Sequence, residues 1–282
     1  MLPNRPECSL LLSLLVLPAC PGGNDSGELV EDDSTTNADD GSTGDADTSG
    51  DPPAEPTDGD ASSGGADETG PGTSDCDDQM ILDLGLVGGL VSEGEVSSTT
   101  SAQGWASMVD ATAGGIMDAP TNPWIYLRFT PEGLRKVEVD DLQALESTDW
   151  DIAAKRFGLR LNGGVSGPSQ VSAVALEGMT YEDVTELPPG AELAQESFYD
   201  ADCTLIDDGS GQGAPAYLLA QWWTYPGCVA TTGVPFILQL DDGSLVKLVV
   251  DAYYESGQDQ CNETGMMGMG SAQLTWRWAY LE

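Results

Sequence analysis

Between Pro21 and Asp78 the chain has no lysine, arginine or aromatic residue, and its only large apolar side chains are Leu29 and Val30. Such a segment cannot bury enough apolar surface to offset the entropy of ordering it. Residues 21–78 are therefore expected to be a disordered acidic linker, spanning about 40–45 Å root-mean-square and further where its like charges repel. Its carboxylates and Asp-Gly pairs invite a calcium reading. The spacing does not fit a D-x-D-x-D-G loop ending in Glu, and a solvated spacer is the simpler account. Any hydrophobic core is thus confined to residues 79–282, roughly two hundred residues and enough for one domain.

The residues ahead of the linker set the expected compartment. An apolar run from Leu10 to Leu17 is too short to cross a bilayer and suits the apolar region of a signal peptide. Leu17-Pro18-Ala19-Cys20 resembles a bacterial lipobox, although proline is unusual at its second position and Arg5 is offset by Glu7. Residues 1–20 are read as a lipoprotein signal peptide with Cys20 as the lipidated residue. The expected localisation is exported, held at the outer membrane or cell surface of a bacterium through lipid alone. The formal charge is −39. Without a basic stripe the chain is a poor partner for nucleic acid or anionic lipid.

Strand signals recur after the linker. Ile81 to Val87, Trp105 to Val109, Trp124 to Phe129, Tyr217 to Tyr225, and Gln273 to Leu281 are apolar, aromatic or alternating runs. Phe236–Leu240 and Leu245–Val250 flank Asp241-Asp242-Gly243-Ser244, a readable hairpin turn. Helix signals are few. Asp140 can cap a short helix, Thr180 can start a turn, and a third turn is expected near Ala191 to Glu196. The expectation is a mainly β, antiparallel domain with a few short helices.

The stretch from Thr148 to Gly164 organises that domain. Trp150 and Ile152 are expected to pack at its entry. Phe157, Leu159 and Leu161 then alternate with Arg156, Gly158 and Arg160, as in a half-buried strand. Asn162-Gly163-Gly164 reads as a hairpin turn, with Val171, Ala173 and Ala175 on the returning strand.

Cys76, Cys203, Cys228 and Cys261 remain after processing, and an even count in an exported chain implies two disulfides among three possible connectivities. Cys203 and Cys228 bracket a Gly-rich loop, which favours that pair and leaves Cys76 for Cys261. No spacing suits a zinc or redox motif, so no metal site is expected.

The pattern Trp150-Asp151-Ile152-Ala153, a basic pair and Asn162-Gly163-Gly164 is similar to the central motif of the HmuY-like family. Asn122 to Phe129 before it resembles that family too, as does the late hairpin followed by Lys247 and Tyr253-Tyr254. The resemblance covers most of the chain from about Met80. It implies a secreted β-rich lipoprotein whose best-known relatives bind haem through side chains on either side of a cleft, often histidines.

This chain has no histidine at all. That removes Ser-His-Asp and Cys-His catalysis and His-ligated haem. Paired carboxylates such as Asp149, Asp151, Glu182 and Asp183 are the remaining enzymatic route, but acidic residues are everywhere here, and no enzyme is expected. If haem binds, Met179 is the first candidate ligand, followed by Met266, Met267 and Met269, which as thioethers also suit Cu(I). Each methionine has a plain alternative, as hydrophobic filler or as part of a Gly-Met turn. Lys155, Arg156 and Arg160 are the expected propionate contacts. The alternative function is a cofactor-free extracellular module for a protein or glycan, with Trp222, Trp223 and Tyr225 as an aromatic patch, although such aromatics are more often core.

Overall fold

The computed structural model describes residues 76–114 and 117–282. The signal peptide, Cys20 and nearly all of the expected linker lie outside the described residues. The order is α1 (Asp77–Asp83), β1 (Val96–Ser101), β2 (Gly104–Asp110), β3 (Ile125–Thr130), β4 (Gly133–Val137), α2 (Asp141–Ala144), β5 (Ile152–Lys155), β6 (Gly158–Leu161) and β7 (Ser172–Ala175). There follow β8 (Trp223–Thr224), β9 (Ala230–Thr231), β10 (Phe236–Gln239), β11 (Leu245–Tyr254), α3 (Asp259–Thr264) and β12 (Ser271–Tyr280). One sheet runs β1-β2-β12-β11-β10-β7 and a second β4-β3-β5-β6, while β8 and β9 form a small ribbon. All the pairings are antiparallel. Among the described residues no helix is long and apolar enough to cross a membrane.

One core joins the two sheets. Leu127, Phe129, Ile152, Leu159 and Leu161 from the smaller sheet meet Leu238, Val246, Leu248, Trp276 and Trp278 from the larger. A second cluster covers the other face of the smaller sheet, where Trp124, Tyr126, Trp150 and Ala153 pack with Met80 and Leu84 of α1 and with Phe198, Tyr199 and Tyr217. The β5–β6 end of the smaller sheet is therefore buried on both faces and has no exposed residue, while Arg128 of β3 and Arg135 of β4 are exposed.

That double cover corrects the reading of Arg160. The alternation is right, but the face carrying Arg160 is not open to water. Arg160 is fully buried, with its guanidinium 5.1 Å from the Trp124 ring, 5.4 Å from Tyr126 and 5.1 Å from Trp150. It donates to the Ser166 carbonyl at 3.0 Å and to the Tyr126 hydroxyl at 2.6 Å. Tyr126 donates in turn to Asp141 at 3.0 Å, which also accepts from the Trp124 and Val87 backbone N–H groups. Burial pushes the Asp141 carboxyl above its usual range, against those donors and Arg160. The cation is thus neutralised through a phenol rather than by direct contact.

The central motif also turns elsewhere than expected. The hairpin is β5–β6, its turn is Arg156-Phe157, and Arg156 supplies the left-handed residue at φ 54°. Asn162-Gly163-Gly164 instead carries the chain from one sheet to the other, since β7 pairs with β10. Gly163 is extended, at φ −176°, so it is not required for its dihedral freedom. It is required for space: a Cβ there would lie 2.1 Å from the Val171 carbonyl oxygen. Asn162 fastens the crossing by donating to the Trp150 and Ser147 carbonyls and accepting from the Ser169 N–H.

Three further expectations are corrected. Ile81 to Val87 is not a strand, because Met80 and Leu84 sit at helical i, i+4 spacing and bury together while Leu82 faces out. Tyr217 to Tyr225 contains a 3-10 turn at Ala220–Trp222 and only two strand residues. No helical turn forms near Ala191 to Glu196, where Ala194 bridges to Ala173 instead. The Asp140 cap does form, its carboxylate accepting from Leu142 N–H and Gln143 N–H. Thr180 likewise caps the turn at Tyr181–Asp183.

Two disulfides are present, with a pairing that differs from the expected one: Cys76 joins Cys203 and Cys228 joins Cys261. Packing decides it. α1 lies against the 198–205 loop, where Tyr199 donates to Asp83 at 3.0 Å, and α3 lies against β9, where Asn262 accepts from Thr231 N–H at 3.1 Å. The shortest loop in sequence is not the shortest path in space.

Candidate functional site

A cleft of about 620 Å³ opens beside the β5–β6 turn. That size is ordinary for small-molecule sites, which span roughly 300–1,000 Å³. Its walls come largely from four places: Leu82 to Gly85 at the end of α1, Lys155 to Gly158 at the turn, Gln212 to Tyr217, and Tyr253-Tyr254 at the end of β11. Trp124, Tyr225 and Met267 also line it. Leu82, Tyr225 and Met267 are large apolar residues left exposed in the domain, and all three lie on this lining.

Local chemistry explains how the walls are set. The Arg156 N–H donates to the Ala111 carbonyl at 2.7 Å, which pins the left-handed turn. Gly158 lets β6 run over the Trp124 ring, since a Cβ there would stand 3.0 Å from it. Gly265, at φ 71°, ends α3 and starts the Gly-Met loop. Gly268 seats that loop on Tyr254, where a Cβ would lie 2.7 Å from the ring. Val229 N–H donates to the Tyr254 hydroxyl at 3.0 Å, and the Cys228–Cys261 bridge ties the same corner together.

The cleft separates the expected site residues. Lys155, Arg156 and Met267 line it. The Lys155 ammonium donates to the Gly85 carbonyl at 3.3 Å, and burial lowers its pKa against the pull of Asp141. Arg156 has no ion pair or side-chain hydrogen bond among the described residues. Arg160 lies in the core, and Met179 packs with Leu176, Val184 and Ile237 on the outer face of the larger sheet. Met266 and Met269 are exposed on the same loop as Met267 but off the lining. Trp222 and Trp223 are buried, so only Tyr225 of the expected aromatic patch reaches the surface.

The carboxylates do not converge. Asp149 is exposed against Arg128, Glu182 pairs with Arg277, and Asp183 bonds Thr180. Asp151 is buried, accepting from Phe129 N–H at 2.9 Å, and burial pushes it up to about 6. Among the described residues no group of three or more His, Cys, Asp or Glu is placed to hold a metal ion.

Three groups in the cleft wall escaped the sequence reading. The Tyr253 and Tyr217 phenols have no hydrogen-bond partner among the described residues, and the Trp124 indole N–H is buried without one. Nothing periodic marks them; only the adjacency of Tyr253 and Tyr254 after a long alternating strand hints at a special end.

Glu196 gives a measurable pH signature beside the site. It is buried and bridges two segments, accepting from Leu161 N–H and Leu218 N–H at 3.0 Å each. Burial, opposed by those donors and Arg160, pushes its pKa up to about 7. Its folded-state pKa exceeds the unfolded value, so its contribution is complete below about pH 4.5 and is lost as pH rises through about 7. Asp151 acts in the same sense up to about 6. Thermal stability should therefore rise by up to about 3 kcal/mol from the Glu196 group as pH falls from 8 to 5. Glu196→Gln should flatten that dependence, and a profile unchanged by it would contradict the assignment.

Fold and cleft together define a disulfide-linked, mainly antiparallel β domain with an aromatic cleft at the end of a hairpin. The chain belongs to the HmuY family: the family model described as HmuY protein matches residues 120–265, or 146 of 282. Among solved structures it is similar to a Bacteroides fragilis protein assigned as a lipoprotein, at 13% identity and TM-score 0.37 over 63% of this chain and 91% of that one. It is also similar to a protein from Bacteroides vulgatus assigned as an HmuY-like haem-binding protein, at 13% identity and TM-score 0.36 over 66% and 91%. A third is the apo HmuY analogue of Tannerella forsythia, at 13% identity and TM-score 0.34 over 68% and 98%. No curated protein matches.

Proposed function

We propose that the chain is an exported, lipid-anchored and non-enzymatic binding protein whose cleft takes haem without a histidine ligand. The observation that carries this is convergence. Lys155 and Arg156, neighbours at the β5–β6 turn, and Met267, remote from them in sequence, lie on the lining of one cleft with Trp124, Tyr217 and Tyr253. The donor set suits the group: aromatic walls for a flat macrocycle, two cations for its propionates, and a thioether, a recognised haem ligand. When bound, haem supplies a redox-active iron. The chain's own residues supply the stacking surface, the counter-charges and the soft ligand, Met267.

Disulfides fit an oxidising compartment. Cys20, ending the lipobox-like run, is the anchoring residue in this reading. Cys20→Ser should move the protein to the soluble fraction; retention in membranes would remove the lipid anchor. Haemin added to the purified protein should shift the Soret band. No change in either redox state would exclude haem binding. A cofactor-free module is then the standing account, favoured by one feature: Tyr225 also borders an adjoining groove of about 670 Å³ with Trp223, Gln221, Thr224 and Asp208, a lining suited to a glycan or peptide.

A further inference from the structure

Tyr253 is nearly fully buried, yet it lines the cleft, and its phenol has no hydrogen-bond partner among the described residues. Its oxygen is not sealed in the core, so it reaches the cleft while bonding no described protein group and is free to meet a ligand there. Its ring is held by Tyr254, edge-on at 5.0 Å, and by Trp222 at 6.1 Å, so the oxygen has a fixed position. The neighbouring Tyr254 oxygen is already engaged by Val229 N–H. Arg156 lies on the same lining with its guanidinium unpaired, close enough to act electrostatically on Tyr253.

We propose that Tyr253 is a second ligand of this cleft, its phenolate oxygen taking the iron of a ferric porphyrin while Arg156 balances the phenolate charge. This rests on the haem reading above. The step is a ligand exchange without redox: the phenol O–H breaks, its proton goes to solvent, the oxygen–iron bond forms, and the water or anion carried by the haemin leaves. Phenolate is a hard anionic donor suited to Fe(III), and a tyrosine ligand is a known form of haem ligation. The neutral thioether of Met267 suits Fe(II). The two residues therefore divide the redox states between them.

Ligation should be pH-dependent. Burial pushes the Tyr253 phenol up to about 12, opposed by Arg156 and assisted by Tyr254 and Tyr225. The other charged groups of the cleft are Lys155 and Asp83. One proton is released per ferric haem bound, so ferric affinity should rise about tenfold per pH unit between about pH 6 and 8.

The test uses the full chain with haemin, dithionite-reduced haemin and metal-free protoporphyrin. Tyr253→Phe should lower ferric affinity at least about tenfold at pH 8, change the ferric spectrum and abolish the pH slope. Because phenylalanine keeps the aromatic wall, ferrous haem and metal-free porphyrin binding should fall much less than ferric binding. Without ligand the variant should melt close to the wild-type temperature, because the hydroxyl it removes bonds no described residue and reaches the cleft. Met267→Ala should weaken the ferrous state selectively. A wild-type ferric spectrum and slope in Tyr253→Phe would overturn the tyrosine assignment alone. Failure of the wild-type chain to bind haemin in either state would overturn both readings.

Discussion

Trp150→Ala should lower the unfolding free energy by about 3–5 kcal/mol, read as a lower denaturation midpoint at unchanged slope. The ring is fully buried and stands edge-on to Tyr126 at 5.0 Å. Its indole N–H donates to the Ala144 carbonyl at 2.8 Å, tying β5 to α2. It also forms one wall of the cage around Arg160. Alanine would remove apolar burial, a buried hydrogen bond and a cation–π partner together. Trp150→Phe keeps most of the apolar ring and loses the donor, so its cost should be smaller, about 1–3 kcal/mol. Wild-type stability in both variants would mean that the cage contributes nothing.

Gly163→Val should prevent recovery of a folded domain, and Gly163→Ala should do nearly as much damage. A Cβ at this position meets the Val171 carbonyl oxygen at 2.1 Å and its backbone nitrogen at 3.1 Å. Both are main-chain atoms, held where Asn162 bonds Val171 and Ser169. Nothing flexible can give way. Gly178→Ala provides the contrast. Gly178 is left-handed, at φ 79°, with nothing within 4 Å of its would-be Cβ, so the penalty is only the backbone cost of about 1–2 kcal/mol. Circular dichroism and thermal melts separate the two classes. Equal losses at the two positions would refute the crowding argument.

Much of the fold was legible because sheets write a period of two into sequence. The β10–β11 hairpin, β12 with Trp276 and Trp278 inward, and the Asp140 cap all follow local rules. What was not legible depends on the other side of an element. The alternation of β6 is real, but nothing local announces that α1 and the 198–217 segment cover its second face. Arg160 therefore reads as a surface cation and is a core one. Asn162-Gly163-Gly164 carries the composition of a hairpin turn, while its glycines answer to a close backbone approach between segments eight residues or more apart. The site shows the same limit. Lys155 and Arg156 were readable from their place at the motif, whereas Met267 and Tyr253 join them only through the packing of a Gly-Met loop on Tyr254.

The two crosslinks have a consequence for cleavage of the chain. The Cys76–Cys203 bridge encloses a span of 127 residues, and the Cys228–Cys261 bridge one of 33. A single nick inside either span cannot shed a fragment, because both cut ends stay joined through sulfur. Only cuts between Cys203 and Cys228, or outside the two loops, can divide the domain into separable pieces. A copy clipped once inside either ring should therefore run at full mass on a gel until reductant is added. One clip in the exposed turn at residues 200–202 and one in the Gly209–Gly213 segment should then differ: the first lies within the larger ring, the second in the gap between the rings. Between the two rings, residues 204–227 are thus a stretch where one cleavage leaves the flanking parts without a covalent link, and they supply Gln212, Tyr217 and Tyr225 to the cleft.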